Sequence, residues 1–551
     1  MANAFVFFQR NIGSVVALFC TSVLAETQRQ PSIDQPIEQV AAAAKITVSP
    51  PASDSEFFRR IHLDLVGSIP SAQETRAFLA DTTPTKRVAL IDRLLADPRF
   101  PTRIAEALDV QWMERRGEDD NWIRFLTQAV TEDRPLNTLV REILRPDFTD
   151  ETKKGAAFFL TKRLEKVGQQ ETDYPGLTRD VGRLFLGVDL QCAQCHKHLT
   201  VNDYKQVDFN GLFMVFQNLK LNEPSQGFKT KWLSEGLVTA KLEFTSVLNG
   251  NKGATGPRVP FAEEVPIPDL PEPERWIVPP DKKTKHPGIP KFSALEQLSQ
   301  RIASNENALF SRNLANRLWW LLIGRGLVEP LDLNHSDNPP SHPEVLDALT
   351  RTLVHHQFRL RPFLREILLT QTYQRSSQLA DAKNPPADDR FASALERPLQ
   401  AEQLARSFIM AAWGAKPLLE GGSITLTDDR KVTLKEMLAA FRSAFANAPK
   451  EPELTVNPSL RGTLFLRNNP LILESLKPRD QNLMARLLKL PSPKEVAEEL
   501  FLSVLTRLPT EEETQIVETA LAKAPTPEQR EKACRSIVWA AIASLEFFTN
   551  H

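Results

Sequence analysis

Two cysteines and a histidine form the most chemically informative stretch of the sequence. Cys192 and Cys195 are separated by two residues, and His196 follows the second cysteine directly. With this spacing the two thiols can add to the vinyl groups of a haem, and the histidine ring can reach the iron as its proximal ligand. The motif therefore predicts one covalently attached haem c, held by Cys192, Cys195 and His196.

Two other kinds of site use the same residue types. A redox-active dithiol or part of a zinc site would also contain closely spaced cysteines. A zinc site needs further ligands, but the other two cysteines, Cys20 and Cys534, each stand alone in the sequence. A thioredoxin-like dithiol needs a βαβ context, whereas residues 179–191 have the pattern of an amphipathic helix that runs into the motif. Haem is the favoured interpretation, provided that the protein is exported.

A six-coordinate haem needs a second axial ligand on the face opposite His196. His198 is tethered by the same short loop, so it is expected on the same side of the porphyrin, as a hydrogen-bonding neighbour. Met214 is the candidate distal ligand, and methionine would raise the reduction potential relative to histidine. Its apolar neighbours in the sequence also suit a core residue. Three further residues have a suitable side chain: Met113, His62 and His342. A vacant sixth position would suit binding of a small ligand, and the sequence does not exclude it.

Further residues whose side chains could bind a metal or a ligand lie between positions 319 and 344. Four of them combine carboxylates with an imidazole, which suits either a solvated loop or a weak metal site: Glu329, Asp332, His335 and Asp337. Trp319 and Trp320 could stack on sugar rings, although their place in a helical stretch favours packing in the core. No nucleophile, base and orienting group can be assembled from spacing alone. Catalytic residues therefore stay unassigned, and whether the protein is an enzyme stays open.

The first 25 residues have the features of a signal peptide. An apolar run from Ile12 to Leu24 is followed by small residues that end at Ala25, which predicts cleavage before Glu26. The run is short for a membrane span, and an uncleaved anchor is the alternative. The sequence thus predicts a periplasmic or otherwise extracytoplasmic protein with no stable membrane span after cleavage. Cys20 would be lost with the signal peptide, and Cys534 is expected to be a buried, inert thiol.

The composition excludes some classes of function. The 551 residues include 68 basic and 69 acidic side chains, a net charge of −1, so nothing indicates a nucleic-acid partner. Only 21 glycines against 41 prolines argue against a Gly-rich nucleotide-binding fold or a β-propeller.

Hydrophobic periodicity predicts a mainly α protein, with two helical domains joined by a small β-containing insert and a Pro-rich linker. Ser71 and Glu74 have the spacing of a capping box, and residues 85–96 predict a helix with Val88, Ile91, Leu94 and Leu95 on one face. Residues 237–245 alternate like a strand. The predicted organisation is a signal peptide (1–25), a linker (26–52), an N-terminal helical domain with the haem motif (53–221), the β insert and Pro-rich linker (222–291) and a C-terminal helical domain (292–551).

Ordered segments of the chain resemble a planctomycete cytochrome-associated family with paired domains of unknown function. The first domain of that family is similar to residues 59–67, 90–95, 185–198 and 208–212, and its partner domain is similar to segments between 307 and 510. The family usually continues its motif as C-A-Q-C-H-D-H-P-F-D, so Lys197 and residues 199–201 depart from it. The resemblance implies a cytochrome-like domain followed by its partner domain. Relatives often carry a separate cytochrome c domain ahead of these two, but here any haem is expected in the first helical domain.

Together these observations predict an exported c-type haem protein that transfers electrons or senses redox state, with a redox partner protein. One alternative is an extracytoplasmic enzyme linked to polysaccharide breakdown, with an auxiliary haem and a polysaccharide or small-molecule substrate. Another is a non-haem binding or scaffold protein in which Cys192 and Cys195 form a short disulfide.

Overall fold

The structure, a computed structural model, describes residues 33–198, 201–224, 230–284, 286–418, 422–451 and 459–551. These residues form a mainly α-helical protein, which confirms the predicted fold class. The predicted signal peptide, residues 1–25, lies outside the described residues, so its cleavage stays a prediction.

Within the described residues, ten α-helices precede the first strand: α1 (Asp34–Ala43), α2 (Asp54–Val66), α3 (Ala72–Ala80), α4 (Lys86–Leu95), α5 (Phe100–Met113), α6 (Asp120–Thr131), α7 (Leu136–Leu144), α8 (Phe158–Leu164), α9 (Tyr174–Val181) and α10 (Gln206–Phe216). A π-helical turn, Gly182–Leu186, follows α9 directly, and a 3₁₀ turn, Cys192–Gln194, contains the start of the cysteine motif.

The strands are short, and in the described ranges they pair only as separate two-stranded antiparallel sheets. They are β1 (Leu219–Asn222), β2 (Trp232–Glu235), β3 (Leu242–Thr245), β4 (Lys252–Thr255), β5 (Trp276–Val278), β6 (Ile289–Pro290), β7 (Arg397–Pro398), β8 (Ser423–Thr427), β9 (Arg430–Thr433) and β10 (Thr549–Asn550). The predicted insert thus contains strands, but only the second half of the predicted strand at 237–245 forms one.

The remaining helices of the described chain follow residue 293: α11 (Ala294–Ile302), α12 (Ala308–Ile323), α13 (Pro343–His355), α14 (Leu360–Leu368), α15 (Gln371–Gln374), α16 (Ala401–Trp413), α17 (Leu434–Phe445), α18 (Leu460–Asn468), α19 (Pro470–Ser475), α20 (Leu483–Lys489), α21 (Pro493–Val504), α22 (Glu511–Ala522), α23 (Pro527–Ile542) and α24 (Leu545–Phe548).

Buried apolar side chains form two cores. The first core contains residues from Ile33 to Phe391, so α11 to α14 pack with the N-terminal helices. The second core contains residues from Leu399 to Phe547 and is joined by Leu63 and Ile69 from the N-terminal part of the chain. The two cores therefore meet at α2 and the turn that follows it, and the predicted domain boundary at residue 292 falls inside the first core.

Local capping chemistry explains several of the helix ends. The Ser71 hydroxyl accepts a hydrogen bond from the Glu74 amide, and the Glu74 carboxylate accepts one from the Ser71 amide, so the predicted capping box is confirmed. Gly67 ends α2 with φ +75°, a conformation that glycine adopts without the steric cost of a Cβ.

Two local predictions differ from the structure. Residues 34–43, inside the predicted linker 26–52, form helix α1, because Ile37 and Ala41 bury one face of it. In α4 the buried face consists of Leu90, Ile91, Leu94 and Leu95, whereas Val88 is 38% exposed. Val88 lies in the first turn of that helix, at the edge of its apolar stripe.

Among the described residues, no helix combines the length and the apolar character that crossing a bilayer requires.

Candidate functional site

The cysteine motif lies on a tight turn with both thiols unpaired. The amides of Cys195 and His196 donate to the Cys192 carbonyl at 3.3 and 3.2 Å, which closes a 3₁₀ turn. Residues three apart in a 3₁₀ turn lie on the same side of it, so the two cysteines are placed on one side. Cys192 is half-buried and Cys195 is exposed, and neither forms a disulfide. This arrangement is open enough for both thiols to react with one large planar group.

The imidazole of His196 has one defined hydrogen bond. Its Nδ1 lies 2.6 Å from the Lys197 carbonyl oxygen. Because a carbonyl can only accept, Nδ1 carries the proton and Nε2 of the neutral ring keeps its lone pair. That nitrogen has no hydrogen-bond partner among the described residues. Metal-binding histidines commonly donate their other ring N–H to a carbonyl in this way.

The donor set therefore fits a covalently bound haem. Two unpaired thiols on one side of a turn could form the thioethers, and the directly following imidazole has an Nε2 free to bind iron. In the described part of the chain, no three His, Cys, Asp or Glu side chains come together as a set that could hold a bare metal ion.

The segment that enters the motif differs from its prediction. The sequence pattern of residues 179–191 predicts one continuous helix, but α9 passes into the π turn, which ends at Leu186. Gly187 then has φ +70°, and Val188 pairs with Leu333 as an isolated antiparallel bridge. The chain stays extended up to the motif because this tertiary pairing outweighs the local helical periodicity.

Gly187 also leaves space that a larger residue would fill. A Cβ at this position would lie 2.8 Å from Oδ1 of Asn313. The Asn313 side-chain amide donates to the Leu184 carbonyl at 2.9 Å, and the Asn334 backbone amide donates to the Gly187 carbonyl at 2.9 Å. The end of the π turn is thus held by α12 on one side and by the loop after residue 330 on the other.

Further hydrogen bonds hold the motif turn itself. The Arg179 guanidinium donates to Oε1 of Gln194 at 2.6 Å, so the helix before the motif is connected to the turn. The Val247 amide, in the tight turn between β3 and β4, donates to the Cys195 carbonyl at 3.0 Å. The motif is thereby fixed between the N-terminal helices and the β insert.

His198 makes hydrogen bonds of its own with Val201 and Tyr204. Its Nδ1 accepts from the Val201 amide at 2.9 Å, and its own amide donates to the Tyr204 carbonyl. The Tyr204 ring makes edge contacts with His198 and with His335, at centroid distances of 5.9 and 5.6 Å. Burial and the nearby Asp189 carboxylate raise the pKa of Tyr204, so this hydroxyl stays protonated. The predicted role of His198 beside a haem stays a prediction.

Buried charges lie behind the π turn. Arg183 on that turn pairs with Glu114 at 2.7 Å and with Asp180 at 3.1 Å. Asp180 also accepts from Arg163 at 2.7 Å and pairs with Arg116 at 2.8 Å. Burial alone would raise the pKa of Asp180, but the neighbouring guanidinium groups hold it below its usual value. These ion pairs connect the π turn to the end of α5 and to α8.

The candidate distal ligands are all buried. Met214 is 2% exposed on α10 and belongs to the first core, and the Met113 sulfur accepts a hydrogen bond from Arg163 at 3.5 Å. His62 donates through Nδ1 to the Phe58 carbonyl at 2.8 Å, and burial lowers its pKa to about 4. Burial also lowers the pKa of His342. The assignment of Met214 as distal ligand stays a prediction.

The loose cluster between residues 329 and 337 does not come together as a metal site among the described residues. Asp332 lies 3.8 Å from Arg183, His335 contacts Tyr204, and Glu329 accepts from the Gly326 amide at 2.8 Å. The other candidates also have structural positions. Trp319 is fully buried against Phe391, and Cys534 is fully buried as expected.

Sequence reasoning missed the residues that support the motif from afar. Tyr204 and Asn313 hold the motif loop and its entrance, but neither stands in a recognisable pattern. The sequence also contains no indication that Arg183 and Glu114 form a buried ion pair behind the π turn. A buried-charge pattern gives no signal in a single sequence, since charged residues in helices are most often exposed.

Comparison with known proteins places two domain families along the chain. Residues 32–221 match the family described as PSCyt2, protein of unknown function (DUF1549). Residues 295–521 match the family described as PSD1, protein of unknown function (DUF1553). No curated protein and no solved structure matches the chain. The chain therefore carries these two domains of unknown function in tandem, the pair that is typical of planctomycete proteins.

Proposed function

We propose that this protein is an exported c-type haem protein that transfers electrons or senses redox state. In this proposal Cys192 and Cys195 hold one haem c by thioethers, and His196 is the proximal iron ligand. The domain of residues 32–221 is then the cytochrome-like member of the pair, and its neighbour is the partner domain.

The observation that carries the proposal is the state of His196. Its ring is oriented by the Lys197 carbonyl through Nδ1, which leaves Nε2 as the coordinating nitrogen. The two thiols precede that ring on one turn and are unpaired. A structural dithiol would need neither a histidine in this tautomer nor an exposed second cysteine.

The surroundings suit electron exchange at the surface. A bound haem would supply a one-electron couple, and the protein sets its potential through the ligands, nearby charges and solvent access. Cys195 and Lys197 are exposed, so one edge of the site lies where a redox partner protein can approach. The buried pairs of Arg183 with Glu114 and Asp180 supply fixed charges on the inner side of the entering segment.

The test is expression in a host with a cytochrome c maturation system. Intact mass spectrometry should show the mature chain plus one haem, and the Soret band should survive denaturation and acid-acetone extraction. Cys192→Ala and Cys195→Ala should each lose the two-thioether product. Cys534→Ala is the matched control and should keep it, because that thiol is buried in the second core.

The outcome also separates the alternatives. An unmodified mature chain from that host would refute haem attachment, and a Cys192–Cys195 disulfide in it would support a non-haem binding or scaffold protein. If haem is attached, a redox titration should give a reversible one-electron transition. Turnover of a polysaccharide-derived substrate by the haem-loaded protein would instead favour the enzyme class.

A further inference from the structure

A cavity lined mainly by charged and amide residues lies where the two cores meet, away from the cysteine motif. Its volume is about 460 Å³, within the range of pockets that hold small organic molecules. The walls come from α2, α5, the end of α12, the N-terminus of α16 and strand β10. Both cores thus contribute to the cavity, and no step of the proposed haem chemistry uses it.

The best-defined part of the wall is the Asp64 carboxylate, both oxygens of which accept hydrogen bonds. Asp64 is 3% exposed and accepts from the Tyr373 hydroxyl at 2.9 Å, from Arg397 at 3.0 Å and from the Asn550 amide at 2.8 Å. Arg397 also donates to the Leu321 carbonyl at 2.7 Å. These contacts fix the positions of Arg397 and Asn550, so this side of the cavity is rigid.

Gly324 allows the arginine to lie there. It ends α12 with φ +93°, and a Cβ at this position would lie 2.3 Å from Cδ of Arg397. Arg103 on α5 also lines the cavity and donates to Gln400 at 3.0 Å at the start of α16. Two guanidinium groups are therefore held in defined places by the walls.

Arg325 differs from these two residues because it has no partner. The residue is half-buried, its guanidinium makes no hydrogen bond or ion pair with any residue that the structure describes, and its Nε is shielded from solvent. A partly buried charged group without a partner loses hydration and gains nothing in return. A ligand with hydrogen-bond acceptors would supply the missing interactions.

The lining excludes several ligand classes. An apolar ligand would strip water from the charged and amide groups without pairing them. The formal charges nearly balance, since three arginines meet four carboxylates, so neither a cation nor an anion is favoured: Arg103, Arg325 and Arg397, with Asp64, Glu329, Asp388 and Glu396. A ligand that suits such walls is neutral and carries groups that both donate and accept, as hydroxyl groups do.

Trp320 supplies the remaining feature. It is half-buried on the last turn of α12 and lines the cavity, so part of the residue is accessible to a ligand. A flat aromatic surface beside charged and amide hydrogen-bonding groups suits a ring that has apolar C–H faces and polar edges. We propose that this cavity binds a neutral sugar of one or two rings, with Arg325 donating to its hydroxyl groups and Trp320 packing on its ring. The proposal is independent of haem attachment.

The test is isothermal titration calorimetry on the full mature chain from the maturation-competent host, with glucose, cellobiose, lactose and maltose as probes. At least one sugar should give saturable binding at up to tens of millimolar. Arg325→Ala and Trp320→Ala should each weaken it about tenfold or more, as expected for losing a charge-assisted hydrogen bond or an aromatic contact. Arg325→Ala should fold, because that side chain holds no partner in the described structure.

Arg351→Ala is the matched control. Arg351 is exposed on α13, outside the cavity, so its loss should leave sugar binding unchanged. Absence of saturable binding for all four sugars would overturn the proposal, as would binding that survives both cavity substitutions. Inorganic sulfate or phosphate that binds in an Arg325-dependent way, without any sugar binding, would identify an oxyanion site and would equally overturn it.

Discussion

The ion pair between Glu402 and Arg115 joins the two cores, and its contribution to stability can be worked out. Glu402 lies on α16 and is 3% exposed. Arg115, just after α5, donates to both of its carboxylate oxygens, at 2.5 and 2.9 Å. Arg442 on α17 lies 3.7 Å from the same carboxylate. Such a two-point arginine contact combines charge with fixed geometry.

The pKa of Glu402 gives the magnitude. Burial alone would raise it, but the hydrogen bonds and charge of Arg115 outweigh burial and lower it from 4.5 to about 2. One pKa unit is worth about 1.4 kcal/mol, so the ionised carboxylate stabilises the folded protein at pH 7 by about 3 kcal/mol. Because the folded pKa is the lower one, this stability is present above pH 4.5 and is lost as the pH falls towards 2.

Glu402→Gln replaces the carboxylate by a neutral group of the same shape. We expect it to lower the free energy of unfolding by about 3 kcal/mol at pH 7 and by only about 1 kcal/mol at pH 3. Urea denaturation, followed by tryptophan fluorescence and by far-UV circular dichroism, measures both values. Coincident transitions would show that the two cores unfold together.

Glu498→Gln is the control for that experiment. Glu498 pairs with Arg76, and both side chains are 44% exposed, so the substitution should change stability by less than about 1 kcal/mol. A loss below about 1 kcal/mol for Glu402→Gln at pH 7, or an equal loss at both pH values, would refute the reasoning.

Two further predictions concern the motif. His196→Ala should abolish the normal spin-state signature of the haem iron, whereas His198→Ala should keep the coordination number of the iron and shift its reduction potential only modestly. Resonance Raman spectra of both variants measure the coordination. A change from six to five iron ligands in His198→Ala alone would refute the tethering argument. Gly187→Ala should cost about 1–3 kcal/mol, because it combines φ +70° with a Cβ 2.8 Å from Asn313. Gly168→Ala is the control, because Gly168 has φ +62° and open space around it, so its loss of stability reports backbone strain alone. Thermal denaturation of both variants measures the two losses. Equal losses for the two glycines would show that the Asn313 contact contributes nothing.

Features that depend on neighbouring residues were visible in the sequence. The capping box at Ser71 and Glu74 needs only four consecutive residues, and it forms as predicted. The cysteine turn is equally local, since its hydrogen bonds run among Cys192, Cys195 and His196. Such patterns determine their own structure because their partners are fixed by spacing along the chain.

Features that depend on distant partners were not visible. Residues 179–191 have helical periodicity, yet Gly187 and the pairing of Val188 with Leu333 end the helix early. Helices α11 to α14 follow the Pro-rich stretch that the composition marks as a linker, yet they pack into the first core with the N-terminal helices. The second core begins only at Leu399, apart from Leu63 and Ile69. The sugar cavity is assembled from Asp64, Arg325 and Asn550, which no sequence pattern connects.

One loop connects the two candidate sites. Residues 324–338 begin at the cavity, where Glu329 lines the wall, and reach the segment that enters the motif, where the Asn334 backbone amide donates to the Gly187 carbonyl. Asn338 donates to the Leu333 carbonyl at 2.8 Å, which ties the middle of the loop to its end. Asn316 on α12 holds the start of the loop, since it accepts from the Leu327 amide at 2.7 Å and donates to the Val328 carbonyl at 2.9 Å. Asn313, one turn earlier on α12, donates to the Leu184 carbonyl in the π turn. The wall around Arg325 and the segment that enters the cysteine turn are therefore both attached to α12.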